Sequence, residues 1–193
     1  MEVLKRSYAG IQSFSLDAML LDLRIVFLEG EITSESINSV VKQLLFLESV
    51  DNQMPIKLII NSPGGSVSAG LLLYDQLKGM CTTVDIFCTE MAASMAAIIL
   101  ASGKREHRFA LKHSQIIIHE PLISASNRLS GSMSNIVKSV EGLIKTKNIM
   151  LELLATDTGH SVKEMEEAIS YDNVMTAEEA LKFGIVDRIV DRI

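Results

Sequence analysis

The sequence has no tryptophan, three prolines and two cysteines among 193 residues, and only 5% of it is aromatic. Cys81 and Cys88 stand outside any Cys-x-x-Cys or Cys/His spacing, which argues against a zinc site or a disulfide framework and fits a reducing cytosol. Clustered positive charge is also missing. The formal net charge is −6, and the densest cationic run, Lys104 to Arg108, is interrupted by Glu106 and reads as a solvated turn. Phosphate binding needs clustered Lys and Arg, so nucleic acid is not expected as a partner. Long apolar runs are absent too: the longest uncharged stretch, Met91 to Gly103, has 13 residues, and Met1 to Ser7 lacks the apolar core of a signal peptide. The expectation is a cytoplasmic chain that does not span a membrane.

With 48% hydrophobic and 22% charged residues, the chain fits one globular domain over residues 1–193. A positive mean hydropathy of +0.28 and ten methionines suggest more apolar surface than a small monomer can hide, which points to assembly. After a polar start to about residue 15, apolar runs alternate with segments of helical period, the pattern of an α/β domain with a largely parallel sheet. Arg24 to Leu28 reads as a strand, and Glu35 to Glu48 as a helix with Ile37, Val40, Val41, Leu44 and Leu45 inward. A buried strand from Ile56 to Ile60 and the turn Asn61-Ser62-Pro63-Gly64-Gly65 follow, then a helix from about Ser66 to Lys78 with Ala69, Leu72, Leu73 and Leu77 on its apolar side.

Further on, Val84 to Cys88 and Ile116 to Ile118 read as strands, and Pro121 to Gly131 as a loop rich in Ser and Asn. A long helix from about Ser134 to Thr158 carries Ile136, Val140, Leu143, Met150 and Leu154 and ends at Gly159. Capping boxes pair Ser161 with Glu164 and Thr176 with Glu179, and Gly184 ends the last helix before a strand-like Ile185 to Val186.

Three residues have contexts that suit acyl transfer. A serine attacks a carbonyl when a base takes its proton, the base is held in one tautomer, and N–H donors meet the oxyanion. Ser94 sits between a strand and an Ala-rich helical run, so the helix dipole and the next N–H, from Met95, could face an oxyanion. Taken alone, this serine reads more simply as a small buried hydroxyl bonded to backbone. His119 closes a buried apolar run, where sites in parallel sheets gather, whereas His107, His113 and His160 read as structural or solvated. Asp172 lies between two helical segments and, taken alone, reads as a turn residue, with Asp157, Asp187 and Asp191 similar in type. Gly65, in a glycine turn after a strand, is a candidate second oxyanion donor and otherwise simply part of a tight turn; neither a Walker pattern nor a dinucleotide fingerprint is present.

Phe27-Leu28, Phe46-Leu47-Glu48, Ile60 to Gly65, Ala92-Ala93-Ser94-Met95, His119-Glu120-Pro121-Leu122 and Thr176 to Ala180 together resemble the Clp protease proteolytic subunit (ClpP) family. The resemblance runs from about Ser13 to Val190, with 25 positions from Ser94 to His119. It implies a ClpP/crotonase-type α/β domain of repeated β-β-α units, a mostly parallel sheet and a protruding long helix within about residues 120–158, the handle. Residues 1–15 would form an axial segment. Ser94 would be the nucleophile, His119 the base, Asp172 its orienter, and Gly65 and Met95 the oxyanion donors.

The implied assembly is a homo-oligomeric tetradecamer of stacked heptameric rings, with a paralogue as an alternative ring partner. Unfolded polypeptides would be fed in by an AAA+ ATPase such as ClpX, ClpA or ClpC. That partner would use ATP, and no cofactor or metal is expected in this subunit. The sequence departs from the family pattern at Glu90-Met91, where a glycine is usual, at Glu120, where the family carries Gln, and at Tyr171, where an Arg that joins the rings is common. Competing readings are a signal-peptide-peptidase-like Ser/Lys enzyme using Lys104 or Lys112, a crotonase-type hydratase, and a catalytically weak structural subunit of a mixed ring.

Overall fold

The computed structural model describes residues 1–8, 10–121 and 132–193. The polar start forms an antiparallel hairpin, β1 (Glu2–Ser7) and β2 (Gly10–Ser15), followed by a short helix α1 (Leu16–Asp22) whose first turn is capped by Ser15 Oγ. Neither was legible as an element, because polar residues in the hairpin hide any core-facing alternation.

Strand β3 (Ile25–Glu29), helix α2 (Ser34–Val50), strand β4 (Ile56–Ser62), helix α3 (Val67–Gly79) and strand β5 (Val84–Ala93) then alternate, with β3, β4 and β5 paired in parallel. Ile56, Leu58, Ile59 and Ile60 are all buried, as expected of a strand covered on both faces. The helical faces rotate slightly from the expected ones. Leu45 is 47% exposed and Leu72 45%, while Leu47 and Tyr74 turn inward, because a helix of this length presents only one stripe to the sheet.

Helix α4 (Met95–Ala101) is buried at every position, which its unbroken apolar composition requires. Strand β6 (Arg108–Leu111) follows, then β7 (Gln115–Ile118). The reading of Lys104 to Arg108 as solvated turn fails at Arg108, which is fully buried. Its Nε donates to Asp187 Oδ2 at 2.8 Å, Nη2 pairs with Asp187 Oδ1, and Nη1 donates to the carbonyls of Ala101 and Asp157. A buried charge needs this many partners.

Helix α5 (Met133–Thr158) ends at Gly159 in the left-handed region, and its buried residues begin only at Met150, so the preceding turns stand clear of the core. Helix α6 (Val162–Ile169), strand β8 (Asn173–Thr176) and helix α7 (Ala177–Phe183) complete the chain with strand β9 (Arg188–Val190), and both expected capping boxes form. Ile185 and Val186 are buried but precede the strand rather than forming it. The seven-stranded sheet runs β3-β4-β5-β6-β9, all parallel, with β7 also on β5 and β8 antiparallel to β7. This is the α/β architecture, mostly parallel sheet and long helix that the resemblance implies. The expected loop at 121–131 lies outside the described residues apart from Pro121. Among the described residues no helix is long and apolar enough to cross a membrane.

Candidate active site

Strand β5 is long enough to serve two neighbours in turn. Its first half pairs with β6 through Ile86, Phe87 and Cys88, and its last residues, Met91 to Ala93, pair with β7. Between the halves it bulges against β4, where Ile60 faces Cys88 but Ser62 faces Ala92. Thr89 Oγ1 donates to Ile60 O, and Asn61 Nδ2 to Glu90 Oε2 at 2.7 Å, closing the bulge with side chains. Glu90 is thereby occupied by Asn61.

Ser94 follows β5 directly and caps α4 with φ 55° and ψ −122°. A positive φ is costly for a residue with a Cβ and clusters at functional sites. Its N–H donates to Ile117 O at 2.8 Å, so β7 holds the strained residue in place, while its hydroxyl makes no cap bond to its own helix. The backbone thus turns sharply at a half-buried serine, the form of a strand-to-helix nucleophile elbow.

The register brings the other two residues alongside. In the β7–β8 ladder Ile118 faces Asn173, so the next step outward sets His119 opposite Asp172. His119 Nδ1–H donates to Asp172 Oδ1 at 3.2 Å. The imidazole is largely buried, whereas the Asp172 side chain is 76% exposed. Since Ala93 faces Ile117 on the other edge of β7, Ser94 and His119 emerge at the same end of adjacent parallel strands. Among the described residues no hydrogen bond joins the Ser94 hydroxyl to His119.

The glycine turn supplies the remaining wall. Gly64 has φ 91°, and a Cβ there would lie 2.6 Å from Ala93 O, 2.8 Å from Ser94 Cβ and 3.2 Å from Met95 N. Gly65, with φ 147°, would meet Ile32 O at 2.4 Å. Both positions therefore demand glycine. Ile32 N–H donates to Gly64 O, Ser66 N–H to Ile32 O, and Gly64 N–H to the buried Ser62 Oγ, which fixes the turn. Among the described residues neither the Gly65 N–H nor the Met95 N–H has a partner, leaving both expected oxyanion donors free. Gly64, which sequence reasoning treated only as part of the turn, is the residue that lets it approach Ser94.

Met95 is held from behind. Its side chain fills the notch at Gly70 of α3, where a Cβ would lie 2.2 Å from Met95 Cγ. The alternative bases are placed less well. Lys104 follows the far end of α4, about 10 Å along the helix from Ser94, and Lys112 is exposed beyond β6. Cys88 is buried among apolar neighbours, which pushes its thiol up to about 12 and makes it inert. The Clp protease family model matches residues 9–193, and the chain belongs to that family.

Proposed function

We propose that the chain is the serine endopeptidase subunit of a self-compartmentalised protease that hydrolyses unfolded polypeptides. The observation that carries the reading is the convergence of Ser94, His119 and Asp172 at one end of β5, β7 and β8, beside two unpartnered N–H groups.

Asp172 occupies the Nδ1 side of His119, so Nε2 is the nitrogen left to act as base. Nε2 takes the proton as Ser94 Oγ adds to the peptide carbonyl, and the oxyanion receives hydrogen bonds from the Gly65 and Met95 N–H groups. The imidazolium returns its proton to the leaving amine, giving an acyl-serine. Water then attacks the ester with His119 again as base and frees the new carboxyl terminus. One oxyanion donor of this kind lowers the barrier by about 3–4 kcal/mol.

The assembly is proposed as stacked heptameric rings of this chain, with residues 1–15 at the axial pore and α5 as the handle. Met133, Val137, Val140 and Ile144, spaced for one face of α5, are all exposed, as are Phe46 and Met54. Such apolar surface needs covering by neighbours. Substrate delivery is assigned to an AAA+ unfoldase, which uses the ATP. A cytoplasmic site is proposed for the complex.

Incubation with a fluorophosphonate, followed by intact mass and oligomer size, tests the reading. A single adduct that Ser94→Ala abolishes is expected. The exposure of Asp172 and the open Ser94–His119 pair favour a second reading, a structural subunit of a mixed ring with a paralogue. No adduct in an assembled double ring would favour that reading instead.

A further inference from the structure

Helix α5 enters the core at Met150, and Lys147 stands three residues earlier, where the exposed part of the helix meets the body of the protein. Its Nζ lies 3.1 Å from Glu120 Oε2 and 3.6 Å from Glu166 Oε1 on α6. Glu120 is the residue immediately after His119, and its own N–H donates to Ile169 O at the end of α6, at 3.0 Å. Three residues beyond Ile169 the chain reaches Asp172, which accepts from His119. The contacts close a ring: His119, Glu120, Lys147, Glu166, the end of α6, Asp172 and back to His119.

We propose that Lys147 is a positioning residue for the hydrolysis described above, holding the base and its orienter in register and coupling the handle helix to them. The inference rests on the reading of Ser94, His119 and Asp172 as the catalytic set. Without the ammonium, the carboxylates of Glu120 and Glu166 face each other across the seam between the end of β7 and α6, and like charges there push the two segments apart. The His119–Asp172 bond, at 3.2 Å, is already at the long end of the hydrogen-bonding range, so a small displacement breaks it. Hydrogen bonding to Glu120 raises the Lys147 pKa above its ordinary value, the direction expected of an ammonium that these carboxylates hold.

A partly exposed bridge of this kind contributes little to folding, whereas an ångström of misplacement in a catalytic group costs about a hundredfold in rate. The two roles are therefore separable by experiment. In chains with His labelled by 15N, the solvent exchange of the His119 Nδ1–H is measured in a Ser94→Ala background, and kcat and KM for a short peptide in chains retaining Ser94, each with Lys147, Lys147→Met or Lys147→Arg. Lys147→Met is expected to speed the exchange about tenfold, and to lower kcat about tenfold with KM and the unfolding midpoint nearly unchanged. Lys147→Arg restores both. Unchanged exchange in Lys147→Met, or no recovery with Arg, overturns the positioning role. Because exchange is read without turnover, a Ser94 that never turns over while Nδ1–H still responds to Lys147→Met removes the hydrolytic reading and leaves Lys147 as the residue that positions His119.

Discussion

The nucleophile half of the candidate site and the base half are built to different standards. Ser94 is flanked by Ala92, Ala93, Met95, Ala96 and Ala97, all buried, its N–H is tied to β7, and Gly64 and Gly70 leave only the space that Ser94 and Met95 fill. His119 and Asp172 leave the ends of two strands at the rim, joined by one long hydrogen bond whose acceptor is mostly exposed. The chain by itself fixes the strained backbone and its N–H donors. His119 and Asp172 are held by a few polar contacts at a surface, so on the proposed reading the alignment of that half depends on what packs against α5 and α6.

The contrast is broken most severely at Asp172. Asp172→Asn keeps the shape but no longer favours the Nδ1–H tautomer of His119, and the proposed mechanism then predicts a fall in kcat of about 10⁴. Because the side chain is exposed, the unfolding midpoint should not move. Rates within tenfold of the parent protein would show that the rim half takes no part in chemistry.

Arg108 offers the next largest effect, on the opposite property. Arg108→Met leaves Asp187 without its bidentate partner, and loss of one member of a buried pair costs about 3–5 kcal/mol. Burial alone would raise the Asp187 pKa, but its bonds to Arg108 outweigh burial and the net shift is downward. A depressed carboxylate contributes stability that is present above its unfolded pKa of about 3.9 and is lost as pH falls through the folded value. Urea midpoints in Arg108→Met should therefore fall sharply at pH 7 and lose less than the parent protein's on further acidification below pH 4. A midpoint at pH 7 equal to the parent's would contradict the buried pair as a stabilising element.

Which parts were legible follows the same division. Strand β4 and the first half of β5 showed as apolar runs because they are buried on both faces, β3 and β7 showed because most of their residues are apolar although Phe27 and Gln115 are exposed, and the caps at Ser161, Thr176, Gly159 and Gly184 showed because their chemistry is local. Strand β6 stayed hidden because Arg108, one of its two fully buried residues, is charged, and a partner 79 positions away explains it. Ser94, His119 and Asp172 were singled out from local context and family resemblance, but the register that sets His119 opposite Asp172 belongs to strand pairing. Lys147 gave no signal, since its meaning depends on Glu120 and Glu166 arriving from separate elements.

The smallest effect is the one that isolates the nucleophile half. In an ordinary helix interior, Gly→Ala stabilises by up to about 1 kcal/mol. At Gly70 the added methyl would overlap Met95 Cγ at 2.2 Å and lie 3.0 Å from Sδ and Cε. The flexible end of Met95 can swing away, but Cγ is close to the backbone, so relief must come partly from a shift of the first turn of α4, which carries the Met95 N–H. Gly70→Ala is therefore expected to lower kcat about tenfold while stability changes by no more than about 1 kcal/mol, because helix propensity offsets the strain. The exchange of the His119 Nδ1–H should be untouched, in contrast to Lys147→Met. A Gly70→Ala chain with full kcat would mean that α4 tolerates the shift and that the oxyanion donor is not held from behind. A change at His119 instead would mean that the two halves are one mechanical unit.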